Sequence, residues 1–182
     1  MLDPAILLSL EARMPPQPPQ IVEERAWQSP AGVAAERVGT KLVAAFETQA
    51  DAWMAELDRT KGQFEGFVLP QPMSEWDRAQ LTRLVEEYEA HADLRAAQSA
   101  RLVKRIRRVV KAYFRADPAV AAAVRTTGER LVAIEKRIVQ GLLDYALFLR
   151  ALRAEGDPAS QGGPVFDDVE ALARHLGDLA AA

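Results

Sequence analysis

The chain predicts an all-α fold: an elongated antiparallel bundle of three long helices, at about 33–61, 75–115 and 118–154, with short helices at both termini. Three observations carry this. Apolar residues recur at helical 3–4 spacing, and no segment alternates with the period of two that a half-buried strand needs. No Gly or Pro occurs between Ser74 and Pro118. Beyond Pro118 an apolar seam holds a 4,3,4,3 rhythm through more than four heptads.

The elements follow in order. Asp3 can cap a short helix with Pro4 at its first position, where the missing N–H costs nothing. Ala5, Ile6, Leu8, Leu10 and Met14 make that helix apolar. PPQPPQ at 15–20 cannot be helical and reads as an extended, stiff linker. Ile21, Val22 and Trp27 then form an arm against the body. The first long helix runs from about Val33 to Lys61, with Val43, Phe46, Ala50, Trp53 and Leu57 on one seam and Gly62 as its stop.

The next segment, 62–76, is an apolar loop, its glycines and prolines incompatible with regular helix. Ser74 with Asp77 marks a helix start, a hydroxyl cap with an acid three residues on. That helix can run to Phe114, about 40 residues or ~60 Å. Its alanine-rich middle predicts close helix approach or a bend near Arg95–Ser99. Asp117 caps the following helix with Pro118 at its first position. Its seam is Val120, Val124, Thr127, Leu131, Ile134, Ile138, Gly141, Tyr145, Phe148 and Leu152. From Val139 onward apolar residues spread to further faces, so the second half should be nearly surrounded. After GDPASQGGP, Asp167 with Glu170 starts a last amphipathic helix reaching about Leu179, with Val169, Leu172, Ala173 and Leu176 on one face. The chain thus divides into an N-terminal helix, linker and arm (1–31), a helical bundle (32–155), and a loop with a C-terminal helix (156–182).

The short 115–118 connection makes the second and third long helices an antiparallel hairpin. The first long helix runs antiparallel to 75–115 as a third rod. The terminal helices gather at the end opposite the 115–118 turn.

Composition narrows the function. At 182 residues, 49% apolar and 27% charged, one domain with tails is expected. The absence of cysteine excludes disulfides, thiolate metal sites and cysteine nucleophiles. No apolar run reaches the ~18–20 residues of a membrane span, and the N-terminus is a poor signal peptide. A cytoplasmic location is the default reading. Eighteen arginines against five lysines, with abundant alanine, fit a GC-rich bacterial genome.

Motifs of chemistry are missing. A di-iron bundle needs Glu-x-x-His on two helices, whereas His91 is preceded at that spacing by Tyr88 and His175 by Leu172. There is no phosphate-binding glycine loop and no nucleophile elbow. Glu86, Glu87, Glu89 and Asp93 form an acidic face whose simplest role is solvation. The chain is therefore read as a non-enzyme, with no catalytic residue, no metal, no cofactor and no small-molecule substrate.

Two surfaces point toward partners. Residues 101–115, RLVKRIRRVVKAYFR, hold seven cations and no anion in a chain of net charge −3. Arg101, Lys104, Arg105, Arg108, Lys111 and Arg115 share an arc of roughly 120° on a helix, with Arg107 beside it. Leu102, Val103, Ile106, Val109, Val110, Tyr113 and Phe114 lie opposite and are expected to pack into the bundle, leaving the cations alone for a partner. The plainest reading is a solvated face offset by Glu36, Glu47, Glu129 or Glu135. Like charges at i,i+4 repel, however, and an anionic partner would relieve them: an acidic protein surface, nucleic acid, or less readily an anionic membrane surface. The second surface is the loop with Phe64, Phe67, Val68, Leu69, Met73 and Trp76, either a plug over the bundle end or a docking patch. The function expected is an interaction or scaffold protein acting through helix surfaces and the 64–76 loop, with a protein partner or self-association. The alternative is a nucleic-acid-binding or regulatory protein using the cationic face, and a third is an enzyme without a recognisable motif.

Overall fold

The computed structural model describes residues 4–11, 14–19, 32–64, 73–113, 115 and 117–155. Among them the fold is all-α, as the periodicity demands: α1 (Pro4–Leu10), α2 (Gly32–Gln63), α3 (Glu75–Tyr113) and α4 (Pro118–Glu155). The Asp3 cap, the arm at 21–31 and the helix expected at 167–179 lie outside the described residues.

The starts of α3 and α4 obey their capping chemistry. The Ser74 hydroxyl accepts the Asp77 amide proton at 3.1 Å and donates to Asp77 Oδ2 at 2.6 Å. Asp117 Oδ1 accepts from the Val120 amide at 3.1 Å. The chain turns between α3 and α4 with the Asp117 amide bonded to the Tyr113 carbonyl at 2.9 Å. Gly62 does not stop α2, which continues to Gln63 before the Phe64 amide closes on the Lys61 carbonyl at 3.0 Å. α3 is helical without interruption through Arg95–Ser99.

Helix α4 is the centre of the bundle. Both α2 and α3 pack along it, and they scarcely meet each other. The expected third rod is present and antiparallel to α3, but its partner is α4. Moving up both helices, Gly39 meets Thr127, Asp51 meets Arg137, Trp53 meets Gly141 and Phe64 meets Phe148, so α2 and α4 run parallel. Against α3 the order reverses: Ile106 meets Gly128, Arg95 meets Glu135 and Glu89 meets Arg150. A helix gripped on two sides needs more apolar surface than one stripe, which is why the second half of α4 carries it. Between Gly141 and Ala154 only Asp144 and Ala151 are exposed. Leu131, Ile138, Leu142 and Leu149 are wholly buried, each stabilising by about 1.5–3 kcal/mol through burial.

The end opposite the turn is closed by aromatic rings. Tyr88 and Tyr145 stand 4.7 Å apart, Tyr145 and Phe148 5.4 Å, Phe64 and Phe148 6.1 Å. α1 lies beside the first turns of α3, where Leu10 is buried. Residues 14–19 form neither helix, which their prolines forbid, nor strand, yet they are not a free linker. Pro15 is buried and the Pro16 carbonyl accepts a hydrogen bond from Arg95.

Candidate functional site

The N-terminal half of α3 is buried at Leu81, Leu84, Val85, Tyr88, Ala92 and Arg95. From 96 to 113 only Val109 is buried. The cause lies in the partners: the first half of α3 has α4, α1 and the 14–19 segment around it, while the second half has α4 and, among the described residues, little else. Leu102, Val110 and Tyr113 lean on the core. Val103 and Ile106 instead line a groove of about 1070 Å³ between the last turns of α3 and the first turns of α4. The expectation that the whole apolar stripe of 101–115 packs into the bundle is thus corrected. One flank leans half-buried on the core and the other forms the groove floor.

The walls of the groove are Val103, Ile106 and Val110 from α3, and Gly128 and Val132 from α4. Arg107, Lys111 and Arg115 stand along one side, Arg125 and Glu129 along the other. The polar lining is therefore four cations and one carboxylate. Gly128 sets the depth, because a Cβ there would lie 2.7 Å from Ile106 Cδ1 and Cγ2. Only a residue without a side chain lets the two helices close to this distance. On its other flank α4 is approached as tightly by α2, where a Cβ on Gly39 would overlap the Thr127 hydroxyl.

All seven cations of the stretch, Arg101, Lys104, Arg105, Arg107, Arg108, Lys111 and Arg115, are exposed. Among the described residues none of them is in an ion pair. Two carboxylates that could have offset their field are occupied elsewhere. Glu47 faces Arg130 at 3.6 Å and Arg137 at 3.8 Å across the α2–α4 seam. Glu135 is held by Arg95. Among the described residues, Glu129 is the one carboxylate that lines the groove with these cations.

The loop residues divide. Phe64 and Met73 are core side chains, 9% and 1% exposed. Trp76 is 51% exposed and edges a smaller cleft of about 290 Å³ with Leu7, Leu8 and Leu84. Phe67, Val68 and Leu69 lie outside the described residues.

One polar cluster went unread in the sequence. Arg95 and Glu135 are 3% and 1% exposed and form a two-pronged pair, Nε to Oε2 at 2.8 Å and Nη2 to Oε1 at 3.1 Å. Arg95 also donates to the Pro16 carbonyl, fastening the proline segment to the bundle. Burial raises the Glu135 carboxyl above the ordinary carboxylate range, and the Arg95 charge and hydrogen bond oppose that rise. Seam spacing offers no warning of such a pair, since Glu135 sits one residue off the heptad positions.

Among the described residues no group of three metal-ligating side chains converges, and no helix is long and apolar enough to cross a membrane. Compared with protein-family models, with curated proteins and with solved structures, the chain matches none.

Proposed function

We propose that this protein is a non-enzymatic interaction protein that receives an acidic amphipathic helix of a protein partner in the α3–α4 groove. The observation that carries the reading is the pairing of an apolar floor with an unpaired cationic rim. Apolar anchors at i, i+3, i+4 and i+7 of a guest helix fit a floor of Val103, Ile106, Val110 and Val132. Glutamates or aspartates beside those anchors would meet Arg107, Lys111, Arg115 and Arg125. A volume of about 1070 Å³ lies at the upper end of small-molecule pockets, and an open trough between two helices suits a chain segment better.

The test uses a fluorescein-labelled 18-residue peptide with leucines on one helical face and glutamates on the other. Fluorescence anisotropy with the full chain should give micromolar binding. Ile106→Glu and Lys111→Glu should each weaken it tenfold or more, with the circular dichroism of the fold retained. Binding unchanged by both substitutions overturns the reading.

A second reading rests on the four exposed cations away from the groove floor, Arg101, Lys104, Arg105 and Arg108. With them the face is long enough to follow a phosphate backbone. Tight, steeply salt-dependent retention of a 20-base-pair duplex, lost on Arg101→Glu with Arg105→Glu and indifferent to Ile106→Glu, would select nucleic acid.

A further inference from the structure

We infer that the groove is occupied by this chain's own C-terminal segment, residues 167–179, which an acidic partner must displace. The inference rests on the groove's being a site for an acidic helix and names the first such helix to reach it.

Three observations converge on that segment. The first is charge. Asp167, Asp168, Glu170 and Asp178 against Arg174 leave residues 167–179 with a net charge of −3, opposite to the groove rim. The second is pattern. On a helix starting at Asp167, Val169, Leu172, Ala173 and Leu176 share one face, with Asp168 and Glu170 flanking it on either side. That is an apolar ridge for Val103, Ile106 and Val132, with a carboxylate toward each wall. The third is reach. α4 ends at Glu155, and Val132 lies 23 residues back, ~35 Å along the helix. The eleven residues 156–166 span at most ~36–40 Å. They bring Asp167 level with Val132, and the ~20 Å of helix from 167 to 179 then runs toward the 115–118 turn along the whole groove. A much shorter connection would not reach. The glycines and prolines of GDPASQGGP suit an extended passage.

Seated this way, the segment covers apolar surface that α3 leaves open, and it supplies the anions that the rim lacks. An external acidic helix then competes with a tethered one, so its apparent affinity is lowered by the fraction of chains whose groove is already filled.

The chain contains no cysteine, so two introduced thiols are the only ones present. The full-length Val132→Cys/Val169→Cys variant should form an intramolecular disulfide under mild oxidation, seen as a faster-migrating monomer on non-reducing gels. Ala133→Cys/Val169→Cys places the first thiol on the exposed side of α4 and should not. In parallel, full-length Leu172→Glu/Leu176→Glu should bind the leucine–glutamate peptide at least tenfold more tightly than the natural chain. Absence of the disulfide, or disulfides only between copies, together with unchanged peptide affinity, overturns the inference while peptide binding itself upholds the groove. If the peptide binds neither form of the protein, the groove reading falls and this inference with it.

Discussion

At the scale of single residues, the glycines of the long helices separate into tight and roomy ones. Gly39 and Gly128 stand where a Cβ would strike Thr127 and Ile106, whereas at Gly141 the nearest atom of Trp53 is 3.4 Å away, an ordinary contact. Gly128→Ala is therefore expected to cost about 1–3 kcal/mol through overpacking, and Gly39→Ala to be destabilising for the same reason. Gly141→Ala should be neutral or stabilise by up to about 1 kcal/mol from helix propensity. Urea unfolding of the three variants checks the ranking, and equal effects at Gly128 and Gly141 would refute it. The Arg95–Glu135 pair gives a second prediction. Glu135→Leu strands a buried guanidinium and should cost about 3–5 kcal/mol, while Arg95→Met/Glu135→Leu recovers most of the loss. Because burial raises Glu135 above the ordinary carboxylate range, its contribution to stability is whole below that range and declines as pH rises through the raised value. Glu135→Gln keeps an acceptor for Arg95 and removes that decline. Relative to the variant, the natural chain should lose urea resistance as pH rises above the ordinary carboxylate range; parallel profiles would contradict this.

At the scale of elements, the caps and the seams were legible because their chemistry is local. Ser74 and Asp117 cap their helices as the sequence requires, and Ser74→Ala should cost about 1 kcal/mol, lowering the melting temperature by about 2–4 °C. The seams were equally plain: Val43, Phe46, Ala50, Trp53 and Leu57 are all buried. A seam names a face, however, and not the helix that covers it. Nothing in α2 says that α4 will be its neighbour, and only the doubled apolar surface of α4 after Val139 hinted that this helix serves two. The groove was half visible for the same reason. Its cations stood out by their number, but whether Val103 and Ile106 were covered depended on where α2 and the proline segment lay. Arg95 was hidden differently, a charged residue in an alanine-rich stretch whose partners, Pro16 and Glu135, are distant in sequence. Likewise Phe64, Met73 and Trp76 were equivalent as apolar loop residues, and only packing sends the first two inward.

At the scale of the whole molecule, charge is segregated along one rod. The N-terminal half of α3 carries Glu86, Glu87, Glu89 and Asp93, and its C-terminal half carries six of the seven cations, with Arg115 just beyond its end. The acidic half is partly answered from within, by Arg150 at 2.5 Å from Glu89. The basic half lies beside the groove, so one end of the bundle combines an attractive field with an apolar trough. These two contributions respond differently to salt. Apolar contact is nearly insensitive to it, and exposed charges are screened within a Debye length of ~8 Å at physiological ionic strength. An acidic helix held by both should weaken only about tenfold between 50 and 500 mM NaCl, since the floor contacts persist. Phosphates neutralised by seven cations would give a log–log slope near −6, about a millionfold loss over the same range. Anisotropy titrations of the leucine–glutamate peptide and of duplex DNA at the two salt concentrations read these slopes directly. A shallow slope abolished by Ile106→Glu assigns the turn end of the bundle to a protein helix, and a steep slope untouched by that substitution assigns it to nucleic acid.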